Sequence, residues 1–236
     1  MNNLLVTPRY AVYFSPDKLS PWWALGSHWL GRDEHNDAPL QQPALEGISA
    51  AELYNITQEP RHYGFHATLK APFRLAAGQD EAGLISRLGT LASRLRPVPL
   101  GPLRAATLGN FVALVPEASP DRLLDLAAAC VTELDDLRAE PVPSDRLRRR
   151  VETLDAREIE LLDRYGYPYV MERYRFHMTL TGPVEQSVAA RVTDAVASQV
   201  AQLNATNPMT LDRLCLFVEH APQAPFQRIL DLSLHA

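Results

Sequence analysis

Short bursts of alternating apolar and polar residues punctuate this chain, and between them lie stretches with helical spacing. Arg9-Tyr-Ala-Val-Tyr-Phe14 is aromatic and β-branched and stops at Ser15-Pro16, which predicts a first strand. Ser20-Pro21 supplies an N-cap and a first-turn proline for a helix through Trp22, Trp23, Leu25, Trp29 and Leu30, closed by Gly31. Residues 32–47 are polar and proline-punctuated and predict a long loop, a candidate cover for a cleft. Ser49 then caps a short helix carrying Leu53 and Tyr54. Phe65 to Lys70 alternates as a half-buried strand, and Asp80 to Leu95 keeps helical spacing. Leu103–Leu108 and Phe111–Val115 read as two strands joined at Gly109-Asn110. Ser119-Pro120 opens a helix through Leu123, Leu126 and Val131. Beyond a break at Glu140-Pro-Val-Pro143 come a charged helix (155–164), a strand (Arg175–Thr181), a helix (Glu185–Leu203) and two last strands, Leu211–Val218 and Phe226–Leu234. Strand pairs with no helix between them favour an antiparallel α+β sheet over a doubly wound one.

The chain also repeats itself. Tyr63-Gly-Phe-His-Ala-Thr-Leu-Lys-Ala-Pro-Phe73 aligns without gaps on Tyr174-Arg-Phe-His-Met-Thr-Leu-Thr-Gly-Pro-Val184 at an offset of 111, and six of the eleven positions coincide. Side chains alternate along a strand, so Phe65, Ala67 and Leu69 share one face, and His66, Thr68 and Lys70 the other. In the second copy Phe176, Met178 and Leu180 face the core, opposite Arg173, Arg175, His177, Thr179 and Thr181. Each copy thus offers an imidazole and a hydroxyl about 7 Å apart. An offset near half the length of 236 residues predicts one bilobal domain. Its lobes interleave around strands 63–73 and 174–184, with a break near 140–145, and the two pairs converge in a central cleft.

That constellation suits a phosphodiester. Histidine both takes and gives a proton near neutral pH, so one imidazole can activate water while the other protonates the leaving oxygen. Thr68 and Thr179 can hold the phosphate oxygens, and Lys70, Arg175 and Arg173 can offset the charge that develops. His62, opposite Arg173 in the alignment, reads as a rim residue. Tyr13 fits the cleft or the core, and Trp22, Trp23 and Trp29 read as packing.

Phe65-His66-Ala67-Thr68-Leu69 and Phe176-His177-Met178-Thr179-Leu180 resemble the paired hydrophobic-His-x-Thr-hydrophobic motifs of the two-histidine (2H) phosphoesterase superfamily. That group includes RNA 2′,5′-ligase-like proteins and cyclic nucleotide phosphodiesterases. Arg9–Phe14, Trp29-Leu-Gly-Arg-Asp33 and Tyr63–Lys70 are similar to its phosphonate-metabolism branch. The resemblance implies duplicated antiparallel sheets flanked by helices about a pseudo-twofold, His66 and His177 as acid and base, and Thr68 and Thr179 as phosphate holders. It implies no metal and no other cofactor. For the branch, the implied substrate is a ribose cyclic phosphate; the expectation is a small 2′,3′- or 1,2-cyclic ribose phosphate, 5-phosphoribosyl 1,2-cyclic phosphate among them. The rival readings are RNA 2′,5′ ligation or cyclic-end processing, with RNA ends as partner, and non-catalytic binding of RNA or a phospho-ligand.

Composition narrows these choices. Hydrophobic residues at 46% and charged residues at 22% are globular values. A net charge of -5 gives no overall cationic field for a polyanion. The run Arg146-Leu-Arg-Arg-Arg150 is followed by Glu152 and Asp155 and reads as a solvated face. Cys130 and Cys215 form neither a disulfide framework nor a zinc pair. No apolar run reaches the ~18 residues of a membrane span, and no signal peptide is visible, so the expectation is a cytoplasmic protein with no membrane or obligate protein partner.

Overall fold

The computed structural model describes residues 7–140 and 151–235. The Arg146–Arg150 run and nearly all of the break placed at 140–145 lie outside them. The elements run β1 (Arg9–Phe14), α1 (Pro21–Leu30), β2 (Arg32–Asp33), β3 (Ala38–Pro39), α2 (Ala50–Ile56), α3 (Gln58–Arg61), β4 (Ala67–Phe73) and α4 (Glu81–Ala92). There follow β5 (Val98–Pro99), β6 (Leu103–Leu108), β7 (Phe111–Pro116), α5 (Leu123–Thr132), α6 (Ala156–Tyr165) and β8 (Met178–Thr179). The chain closes with α7 (Gln186–Thr206), β9 (Thr210–Leu211), β10 (Arg213–Glu219) and β11 (Gln227–Ser233).

The fold is α+β with antiparallel sheets. The larger sheet has the order β11-β10-β1-β4 and the smaller β6-β7-β8, so each histidine motif runs into a strand at the edge of its sheet. One apolar core joins the two: Val12, Leu69 and Leu216 of the larger sheet pack in the same cluster as Val112, Leu114 and Met178 of the smaller.

Local signals explain most ends. Ser20 Oγ accepts from Trp22 N at 3.2 Å, and Gly31 closes α1 at φ 78°. Asp155 and Glu158 form a reciprocal capping box on α6. Three expectations need correction. The helix after Ser119-Pro120 starts only at Leu123, because Arg122 sits at φ 64° just before it. The second motif strand joins the ladder only at Met178 and Thr179. The stretch 32–47 is not simply a solvated loop: it contains the β2–β3 hairpin, and Arg32, Asp33 and Glu34 are buried. Burial is tolerated because these charges are partnered. The Glu34 carboxylate accepts from Trp23 Nε1 at 2.7 Å and Ser27 Oγ at 3.2 Å. Arg32 donates to the carbonyls of Arg61, His62 and Phe226 at 2.9, 3.2 and 2.6 Å.

Helix α1 grips both motifs. A Cβ on Gly26 would lie 2.0 Å from the Phe65 ring, so the ring of the first motif rests on bare backbone. One turn on, Trp29 Nε1 donates to the carbonyl of Leu180 in the second motif at 2.9 Å. Gly26→Val should cost about 1–3 kcal/mol by overpacking. Trp29→Phe should cost about 1–3 kcal/mol by leaving that buried carbonyl unpaired. Urea unfolding of each variant reads these losses, and unchanged midpoints in both would refute the grip.

Candidate functional site

The two histidines are held alike. The ring nitrogen Nδ1 of His66 lies 2.9 Å from the carbonyl of Gly64, and Nδ1 of His177 lies 2.8 Å from the carbonyl of Arg175. A carbonyl can only accept, so Nδ1 carries the proton in both rings and Nε2 is the nitrogen free for chemistry. In His66 that nitrogen accepts from the Thr68 hydroxyl at 3.3 Å. Tyr13, 1% exposed, stacks on His66 with ring centroids 3.9 Å apart, which settles its place beneath the site rather than in the main core. Phe111 lies against His177 at 5.8 Å.

Both rings hold their proton less tightly than a free imidazole does. Burial pushes the His66 pKa down to about 4, only partly opposed by its bond to Gly64, and the nearby His177 lowers it further. Burial also lowers His177, against its bond to Arg175.

A cleft of about 270 Å³ joins the motifs. His66 from the first copy and Thr179 from the second line it, with Tyr63, Phe111, Thr181, Gly182, Glu59 and Asn110. Thr181 is committed to structure, since its Oγ accepts from Val112 N at 3.0 Å. Glu59 and Asn110 were missed by sequence reasoning. They sit in a four-residue helix and a hairpin turn, where no periodicity marks them.

The cationic candidates are placed differently. Lys70 does not share the face of His66 and Thr68. The ladder between β1 and β4 slips where Thr68 pairs with Tyr13 but Lys70 pairs with Val12, leaving an extra residue on β4. A bulge of this kind reverses the side-chain alternation. Lys70 consequently points into the protein, 3% exposed, and donates to Val131 O at 3.0 Å and Asp135 at 3.2 Å. Burial lowers its pKa while Asp135 supports its charge. Arg173 is exposed and bonds Asp155 at 2.6 Å. Arg175 is exposed and lines a neighbouring hollow with Glu172, Tyr174 and Phe176. None of the three lines the cleft of His66, and neither do Thr68 and His177, so of the four motif side chains the cleft itself is lined by His66 and Thr179. His62 is T-shaped against Tyr63 at 4.7 Å, on the outer side of the cleft wall.

Among the described residues, Asp33, Glu34 and His35 bring possible metal-ligand atoms within 4.8 Å of one another. Their lone pairs are already engaged: Lys18 donates to Asp33 at 2.7 Å, and Trp23 and Ser27 occupy Glu34. No helix among the described residues is long and apolar enough to cross a membrane.

The chain is 40% identical over 221 residues to a protein of Janthinobacterium sp. (strain Marseille) named ribose 1,5-bisphosphate phosphokinase PhnN, covering 92% of this chain and 49% of that protein. It is 41% identical over 219 residues to a protein of the same name from Laribacter hongkongensis (strain HLHK9), covering 93% of this chain and 50% of that protein. The chain thus spans about half the length of the curated relatives it matches. A family model matches residues 68–227, from Thr68 of the first motif through the whole of the second. By that match, the chain belongs to the family described as a protein of unknown function, DUF1045.

Proposed function

We propose that this chain is a metal-independent phosphodiesterase of the two-histidine type that opens a small ribose cyclic phosphate. The observation that carries this reading is the pair of like-held imidazoles, each with Nδ1 tied to a backbone carbonyl, beside a cleft that both motifs line. His66, the more deeply depressed of the two, takes the role of base, and His177 that of acid. Water loses a proton to His66 Nε2 as its oxygen bonds to phosphorus. The phosphorus bond to one ring oxygen breaks, and that oxygen takes the Nε2 proton of His177, which enters the step as the doubly protonated imidazolium; His66 then gives its proton to solvent and His177 regains one. The product is a phosphomonoester beside a free hydroxyl. Thr68 releases His66 and, with Thr179, donates to the non-bridging oxygens.

The relatives support the choice of 5-phosphoribosyl 1,2-cyclic phosphate as substrate. Breaking its phosphorus bond to O2 yields ribose 1,5-bisphosphate, the compound in the relatives' name. This chain contains no Gly-Lys pair and hence no Gly-x-x-x-x-Gly-Lys phosphate loop. In this reading the phosphokinase chemistry belongs to the half of those proteins that the chain does not match, and the two halves catalyse consecutive steps. Arg175, exposed and without an ion pair among the described residues, is the cation left for the distal phosphate.

The test is conversion of that cyclic phosphate to ribose 1,5-bisphosphate, followed by phosphorus NMR. His66→Ala and His177→Ala should each lower kcat by on the order of a thousandfold with the fold intact. Full activity in either variant, or loss of activity in EDTA with recovery on adding metal, overturns the mechanism. The base must be neutral, above about pH 4, and the acid protonated, below a pKa that burial holds under 6.5. The kcat/KM profile is therefore a bell lying between about pH 4 and 6.5, and a rate still climbing from pH 6.5 to 8 contradicts the assignment. Lys70→Met should cost about 1–3 kcal/mol in urea unfolding by leaving Val131 O and Asp135 short of a donor, while kcat/KM stays within about threefold. A selective loss of substrate affinity would restore Lys70 to the phosphate site.

A further inference from the structure

The cleft carries no Lys or Arg among the described residues that line it, but it does carry a carboxylate. Glu59 is exposed there and makes no side-chain hydrogen bond or ion pair with any described residue. Its backbone is nonetheless firmly placed. Arg61, two residues on, donates to Leu30 O at 2.5 Å and Thr57 Oγ1 at 2.7 Å, and its guanidinium lies 4.1 Å over the Tyr54 ring. Thr57 in turn donates to Leu53 O at 2.7 Å. Across from this platform, Gly182 N donates to Ile56 O at 2.7 Å. A Cβ at position 182 would meet Glu59 Oε2 at 3.2 Å and Glu59 Cβ at 3.4 Å, so the glycine makes room for the carboxylate beside the second motif. The repeat differs here, with Thr181-Gly182 in place of Lys70-Ala71. Asn110, its side chain unpaired among the described residues, lines the same cleft.

We infer that Glu59, with Asn110, is the substrate-reading wall of the cleft and binds the free hydroxyls of a sugar. An ionised carboxylate only accepts, with about four lone-pair sites, so its partner is a donor such as a sugar hydroxyl. It repels phosphate, so it turns the anionic end of the ligand toward Thr68, Thr179 and the two imidazoles. Asn110 both donates and accepts, and Tyr63, Phe111 and Pro60 supply apolar faces for the carbon skeleton. The inference rests on the phosphodiesterase reading and deepens it: Glu59 selects hydroxylated cyclic phosphates over bare ones and takes no part in bond breaking.

Two substrates with the same five-membered phosphate ring test this: ribose 1,2-cyclic phosphate, and ethylene phosphate, which has no hydroxyl. In Glu59→Gln and Glu59→Ala the KM for the ribose compound should rise at least about tenfold, the worth of one charged hydrogen bond. Its kcat should stay within about threefold, and the constants for ethylene phosphate should hardly change. Equal losses on both substrates, or none on either, overturn the inference. If the wild type turns over neither, the phosphodiesterase reading fails. Calorimetric titration with the same two compounds then still decides: ribose-compound affinity unchanged by Glu59→Gln sinks the role of Glu59, and a selective loss sustains it.

Discussion

Everything at the cleft depends on one helix face. Gly26 and Trp29 lie three residues apart on α1, and through them the helix touches a histidine strand of each sheet: one by a ring laid on bare backbone, the other by an indole hydrogen bond. Edge strands have no neighbour on their outer side to hold them in place. The smaller sheet engages its motif through only two ladder residues, and the bonds of Leu180 and Thr181 to Val112, of Gly182 to Ile56 and of Trp29 to Leu180 hold the rest of the second copy. The apolar cluster that runs through both sheets completes the arrangement, because a shift of one sheet would open voids in a shared core.

How much of this can be read from the chain depends on the range of the interaction involved. The caps at Ser20, Ser49 and Asp80 and the repeat of the histidine motif are local patterns and are legible in full. The reversal of Lys70 is not, since a strand sequence carries no mark of a bulge that its partner strand creates. Arg32 and Glu34 read as loop residues because burial of a charge depends on partners far away in sequence, such as Phe226 and Arg228. Glu59 lacked any periodic signal. The one available hint was the departure of the second copy from the first at Thr181-Gly182, where the repeat makes space for it.

The two copies are alike in how they hold their imidazoles and unlike in what surrounds them. Duplication supplies two imidazoles with the same tautomer, and different surroundings give them different affinities for a proton. His66 is stacked on Tyr13 and buried beside Thr68, whereas His177 is flanked by Phe111 and the exposed Arg175.

The bonds from Gly64 and Arg175 to the two rings have a consequence of an evolutionary kind. In many proton-transferring sites a carboxylate side chain orients the imidazole, and one substitution there misorients it. Here the acceptor is a main-chain carbonyl in both copies, present whatever residue occupies the position. Drift in the neighbouring sequence can reshape the pocket for a new ligand without disturbing which nitrogen carries the proton. Such an arrangement lets a family diversify its substrates while keeping one chemistry.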